Sequence, residues 1–160
     1  MLGGFATPRK QASYAMPELP EVEITRRGLM QDLQGKVLND VVARHAALRY
    51  PLPRNLARLL AGRPLRVIDR RGKYLLFRFD HGTLIVHLGM SGSLRLVPPT
   101  EAPGRHDHVD FAFGCKILRL RDPRRFGAVL WTREDPALHP LIAPLGVEPL
   151  SADFSGVDAR

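Results

Sequence analysis

From Val37 to Trp131 the chain is a succession of short apolar runs, each closed within a few residues by glycine or proline, and this punctuation excludes most architectures. Val37–Arg44, Leu65–Asp69, Tyr74–Asp80, Thr83–Leu88, Ser93–Val97, Val109–Phe113, Ile117–Arg121 and Ala128–Trp131 have the length and composition of strands, not of helices that bury a face. His81-Gly82 is read as a hairpin turn between two of them. Many short strands with glycine and proline between them predict a β-sandwich or flattened barrel. The expected fold is α+β and β-rich: a two-sheet antiparallel β-sandwich (flattened barrel) flanked by an N-terminal helix and one or two further short helices.

The N-terminal helix is expected from about Pro20 to Leu33. Pro20 suits a first turn, Glu21 and Glu23 lie at the positive end of the dipole with Arg26 and Arg27 further along, and Gly35 marks the stop. Val22, Leu29, Met30 and Leu33 supply a short apolar stripe. A second helix is expected near Asn55–Leu60, after the proline-flanked loop Tyr50–Pro53 and before Gly62 and Pro64. Pro98–Gly104 reads as an exposed loop. From Glu134 onward the chain is proline-rich, with no clear final element.

At 160 residues the chain suits one domain. The net charge is +8, and the excess is mostly arginine, with lysine only at 10, 36, 73 and 116. Arginine favours planar pairing with phosphate or carboxylate, so a polyanionic partner is the natural reading and a merely soluble basic domain the bland one. Cys115 is the sole cysteine, which leaves no internal disulfide and no cysteine-built zinc site in this chain and fits a reducing compartment. No apolar run approaches the roughly 20 residues of a membrane span, and residues 1–15 lack the apolar stretch of a secretory signal.

Met16-Pro17-Glu18-Leu19-Pro20-Glu21 carries the sharpest chemistry. Were Pro17 exposed by removal of Met16, its secondary amine would have a pKa near about 8, be partly neutral at physiological pH, and attack aldehyde-like carbon to give an iminium. Glu18 beside it could move protons. Acylated by preceding residues, the same nitrogen is a tertiary amide without that reactivity. On spacing alone, the two prolines could equally stiffen the start of a helix that the glutamates cap.

Other segments point to a polyanion. Arg70-Arg71-Gly72-Lys73 falls between two strands, where glycine lets a ligand approach the backbone. In His87-Leu88-Gly89-Met90-Ser91-Gly92-Ser93, Met90 is either core or a wedge for stacked bases. His106-Asp107-His108 should place both imidazoles on one strand face, for hydrogen bonding more than for a metal. Asp122-Pro123-Arg124-Arg125-Phe126-Gly127 combines a turn, two guanidiniums and an aromatic ring, a set suited to phosphates, base edges and stacking.

Taken together, MPELPEVE, RRGKYLLF, HLGMSGSLR, HDHVD, DPRRFG and LGVEPL, in that order from Met16 to about Phe154, resemble the N-terminal domain of the bacterial formamidopyrimidine-DNA glycosylase (Fpg/Nei) family. The form ELPEVE is similar to the purine-lesion branch. The resemblance implies a base-excision repair enzyme, a bifunctional DNA glycosylase/AP lyase that removes oxidised purines (8-oxoguanine, formamidopyrimidines) through an N-terminal proline Schiff base. Pro17 would be the nucleophile, Glu18 the acid–base carboxylate and Lys73 a lysine contacting DNA at the lesion. Glu21 would be supporting. Met90, Arg124 and Phe126 would fill the gap left by a flipped base, and His106 and Arg125 would contact phosphate.

The same resemblance predicts how the chain is divided. Residues 1–15 are expected to be an extension, disordered or a mis-called start, that blocks Pro17. Residues 16–150 would be the catalytic β-sandwich domain, and 151–160 the truncated start of a linker to a helix-two-turn-helix and a zinc finger. With those parts beyond the chain, no cofactor is expected in it and activity should be impaired, with another polypeptide as a candidate source of the missing domains. The expected partner is damaged double-stranded DNA, bound by a monomer in the bacterial cytoplasm at the nucleoid, with no membrane. Two other readings compete: a non-catalytic DNA-binding fragment or pseudoenzyme of the same fold, and a small basic β-domain on RNA.

Overall fold

The computed structural model describes residues 19–145; Pro17, Glu18 and the expected extension and linker segments lie outside them. Helix α1 (Leu19–Leu33) opens the described chain. Strands β1 (Val37–Leu38) and β2 (Asp40–Ala43) follow, then the short helix α2 (Leu56–Leu60) and strands β3 (Arg63–Pro64) and β4 (Val67–Arg71). The remaining strands are β5 (Tyr74–Phe79), β6 (Gly82–His87), β7 (Ser93–Val97), β8 (Asp107–Phe113), β9 (Lys116–Arg121) and β10 (Ala128–Thr132). Two single 3-10 turns, Pro136–Leu138 and Ala143–Leu145, come after them. No described helix is long and apolar enough to cross a membrane.

The strands form two four-stranded antiparallel sheets, β10-β6-β5-β4 and β2-β8-β9-β7, with a small β1-β3 pair beside them. Alternation decides what lies between. On the first sheet Ile68, Leu75, Phe77, Leu84, Val86 and Val129 join one cluster with Val109, Phe111, Leu118 and Leu120 of the second. Leu76 and Ile85 point the other way, where Ile142 and Leu130 cover them. The result is the expected sandwich, with α1 sealing one flank through Val22, Leu29 and Leu33.

Three local expectations are corrected. The single strand 37–44 breaks at Asn39: Val37–Leu38 pairs with Arg63–Pro64, whereas Asp40–Ala43 pairs with β8. The Leu65–Asp69 strand begins later, at Val67, because Leu65 is held by the turn after α1, its N–H donating to the Lys36 carbonyl at 2.9 Å and its carbonyl accepting from Gly35 at 2.7 Å. The hairpin turn is centred on Asp80-His81, since Gly82 already pairs with Phe79. Gly82 is required there because Trp131 crosses it: an added Cβ would stand 2.4 Å from the indole.

Ion pairs fasten what the apolar core leaves loose. Glu23 of α1 accepts from Arg26 and Arg27 on its own helix and from Arg70 Nε of β4 at 2.9 Å. The Arg26 hydrogen bond, against the opposing push of burial and with Arg70 and Arg27 adding to it, holds the Glu23 carboxyl down at about 2. Met30 Sδ accepts the Ile68 N–H at 3.0 Å, and Arg26 donates to the Ile68 carbonyl at 3.0 Å. From Glu23 to Met30, α1 is thereby pinned against the strand that runs into Arg70-Arg71-Gly72-Lys73.

Candidate nucleic-acid interface

Strand register brings the segments singled out above to one end of the sandwich. In the first sheet Tyr74 faces His87 and His87 faces Ala128, so the β4–β5 turn with Lys73, the loop after β6 and the loop before β10 emerge together. In the second sheet Ser93 and Asp107 both face Arg121, which adds the start of β7, His106 and the loop after β9 to the same end. Residues far apart in the chain thus share one rim because antiparallel neighbours begin where their partners stop.

Two loops dominate this rim, Leu88–Gly92 and Asp122–Gly127. They meet backbone to backbone: Gly89 has φ +64°, and a Cβ there would lie 2.6 Å from the amide nitrogen of Gly127. Asp122, fully buried, joins them through its side chain, accepting from Ser91 Oγ at 3.1 Å and from the Gly127 N–H at 2.8 Å. Arg125 sits in the left-handed region at φ 55°. The two loops throw Met90, Arg124 and Phe126 outward. Met90 and Phe126 are each 40% exposed, and the Arg124 guanidinium lies 4.9 Å from the centre of the Phe126 ring.

Cations and imidazoles surround this projection. Arg49 donates its N–H to the Gly127 carbonyl at 3.0 Å and lies over the Tyr50 ring. His87 stacks obliquely on Tyr74, ring centres 4.6 Å apart, and its Nδ1 accepts the Gly89 N–H, so its proton resides on Nε2. Burial, reinforced by the charges of Lys73 and Arg49, lowers the His87 pKa from its ordinary value. Lys73 is half-buried at the turn between β4 and β5.

The histidine pair behaves differently from expectation. A bulge between Asp107 and Val109 breaks the alternation at His108. His108 is buried and its Nε2 lies 3.0 Å from the Asp122 carbonyl, which can only accept, so Nε2 carries the proton. His106, its ring centre 6.3 Å away, stays half-buried at the rim. Among the described residues no group of three His, Cys, Asp or Glu is placed to hold a metal.

Of the expected site residues, the structure therefore gathers Met90, Arg124, Arg125 and Phe126, and sets Lys73 and His106 at the same end. Glu21 is exposed on the first turn of α1, while its neighbour Glu23 makes the tie to β4. Pro17 and Glu18 precede the described residues. Sequence reasoning passed over Arg49, His87, Ser91 and Asp122 as site members. His87 and Asp122 each stand in a motif already singled out, so their position was visible; Arg49 carried no signal beyond its charge.

The lowered pKa values of His87 and His108 have a consequence for stability. Burial first, and then the charges of His45 and Arg125, lower the His108 pKa, opposed by the Asp122 contacts. With His87 and His108 both depressed in the fold, the unfolded chain binds more protons below about pH 6.5, so stability is complete above that value and declines as the pH falls. Urea midpoints at pH 7.5, 6.0 and 5.0 should decrease in that order, and His108→Gln should flatten the decline.

The family model for the formamidopyrimidine-DNA glycosylase N-terminal domain matches residues 16–129. The formamidopyrimidine-DNA glycosylase of Janthinobacterium sp. (strain Marseille) is 58% identical over 143 residues, which is 88% of this chain and 52% of that protein. Its counterpart from Geobacter metallireducens is 56% identical over 142 residues, again 88% of this chain and 53% of that protein. The chain therefore spans about half the length of the curated relatives it matches. Among solved structures, Lactococcus lactis Fpg in complex with abasic-site DNA superposes with a TM-score of 0.72 at 33% identity, covering 79% of this chain and 48% of that one. MutM in complex with DNA containing carbocyclic 8-oxo-G gives 0.72 at 33% identity, over 80% of this chain and 48% of that one.

Proposed function

The chain belongs to the formamidopyrimidine-DNA glycosylase family, and from that premise we propose that it carries the lesion-removing chemistry of a DNA base-excision repair enzyme acting on oxidised purines. The observation that supports this most is the rim itself: two exposed apolar side chains, Met90 and Phe126, flanked by Arg124, Arg125, Arg49 and Lys73 at one end of a rigid sandwich. Turning a damaged base out of the duplex costs a few kcal/mol and leaves a gap in the stack. Met90 and Phe126 fill that gap, Arg124 addresses the orphaned base opposite, and the surrounding cations, with His87 and His106, take the phosphates of the bent backbone.

The chemistry falls to Pro17 with Glu18. Where Pro17 is the first residue of the chain, its neutral amine attacks C1′ of the deoxyribose; the nitrogen–carbon bond forms as the bond to the base breaks. The base leaves with a proton, the sugar ring opens at C1′–O4′, and an iminium remains. Loss of a proton from C2′ then expels the 3′ phosphate, and a second elimination expels the 5′ phosphate. Glu18 moves the protons and Lys73 stabilises the phosphate beside the lesion.

A binding comparison tests the reading. The chain should bind a duplex holding a tetrahydrofuran abasic analogue more tightly than the intact duplex, and Phe126→Ala should reduce that preference by about tenfold, the worth of one stacking contact of 1–3 kcal/mol. Equal affinity for both duplexes, with no strand scission at 8-oxoguanine or abasic sites by a chain that begins at Pro17, would leave only a non-catalytic DNA-binding domain.

A further inference from the structure

We infer that Asp122 is a positioning residue: its buried carboxylate latches the Met90 loop to the Arg124–Phe126 loop, so that the two apolar side chains enter DNA as one unit. The inference rests on the repair reading above and assigns to it a part that touches no DNA.

Every polar group of Asp122 is engaged, and each engagement ties a different segment. Its N–H donates to the His106 carbonyl at 3.0 Å. Its carbonyl accepts from Arg125 at 3.1 Å, which closes the turn, and from His108 Nε2 at 3.0 Å. One carboxylate oxygen holds Ser91, the residue after Met90, and the other holds Gly127, the residue after Phe126. Ser91 Oγ in turn accepts the Arg124 N–H at 3.3 Å. Each apolar projection is thus flanked by a residue bound to the same carboxylate.

The loops need such a tie. Arg125 occupies a left-handed conformation that costs a non-glycine residue about 1 kcal/mol or more, and it persists only where surrounding bonds hold it. Gly127 is buried, so its N–H has to find a partner within the fold. A Cβ on Gly127 would lie 2.6 Å from the His87 carbonyl and 2.8 Å from the Asp122 carboxylate, so the backbone has been brought against the latch as closely as sterics permit. Insertion into a base stack is favourable only if the wedge is already shaped; side chains left to wander would have to be ordered on binding.

Asp122→Ala should weaken binding to tetrahydrofuran duplex on the order of tenfold or more, since it strands a buried donor, while affinity for intact duplex changes less than about twofold because the phosphate contacts remain. Asp122→Asn should recover most of the loss: its carbonyl can accept from Gly127 and its amide can donate to Ser91 Oγ. On a Phe126→Ala background the Asp122→Ala effect should largely vanish, as expected of a residue that works through Phe126. Ser91→Ala, which spares the Gly127 bond and the fold, should lose about threefold for the tetrahydrofuran duplex, and nothing further on a Met90→Ala background. Full additivity with Phe126→Ala, or equal losses on intact and tetrahydrofuran duplexes, would overturn the inference. The two failures separate. An unmodified chain that does not discriminate between the duplexes sinks the repair reading and this inference with it; an unmodified chain that discriminates, matched by Asp122→Ala and Ser91→Ala variants that do so equally well, sinks the inference alone.

Discussion

Replacing Asp110 with alanine should lower the unfolding free energy by about 3–5 kcal/mol, read as a shift of the urea midpoint, while the double variant Asp110→Leu/Arg119→Met should regain most of it. Arg119 is 1% exposed on the outer face of the second sheet, where alternation would leave a side chain to solvent. Its guanidinium meets Asp110 with two bonds, Nε at 2.9 Å and Nη2 at 3.0 Å, and donates Nη1 to the Glu101 carbonyl at 3.0 Å. Burial pushes the Asp110 carboxyl up, but hydrogen bonds from Arg119 and Arg44 outweigh it and hold the pKa below the ordinary value. A charge desolvated in this way is tolerated only with its partner; remove the carboxylate and the guanidinium is left uncompensated. Removing both charges removes the problem, which is why the double variant separates an ion-pair effect from a packing effect. Arg44, partly exposed, can turn to water in either variant.

A chain whose first residue is Pro17 should cleave abasic-site duplex at least about a thousandfold faster than one in which Pro17 is acylated by preceding residues, a difference of roughly 4 kcal/mol in barrier. The argument is electronic. A secondary amine with a pKa near about 8 is partly neutral at pH 7.5 and holds a lone pair; a proline amide has given that pair to the carbonyl. No rearrangement of the rim restores it, so the effect should appear in turnover and not in affinity for the tetrahydrofuran duplex. A comparable rate from both forms would remove Pro17 from the chemistry.

The strands were legible because each is a short apolar run closed within a few residues by a turn former. Tyr74–Phe79 and Gly82–His87 fall within a residue of expectation for that reason. What could not be read was pairing. Nothing local in Val37–Arg44 says that its halves serve different sheets; that depends on Arg63–Pro64 and on β8, both distant in the chain. Likewise the run Lys116–Arg121 suggests an outward Arg119, and only the Pro98–Gly104 loop folding over it makes it buried. Pro98–Gly104 is exposed as expected, yet it covers a charge. At the candidate site the motifs marked the projecting residues, because methionine, arginine and phenylalanine beside glycine are chemically conspicuous. Asp122 in the same motif read only as a turn former, since Ser91, the partner that gives it meaning, belongs to another loop. Glu23 shows the same limit from the other side: it sits one turn from the conspicuous carboxylates and reads as a dipole residue, but its bond to Arg70 joins the helix to the sheet.

Borohydride reduction in the presence of abasic-site duplex, followed by proteolysis and mass spectrometry of the cross-linked peptide, tests the central claim most directly. The account predicts a covalent adduct on the amine of Pro17 when that residue is the first of the chain. An adduct on Lys73 instead, or none at all from a chain that begins at Pro17 and binds the duplex, would contradict it.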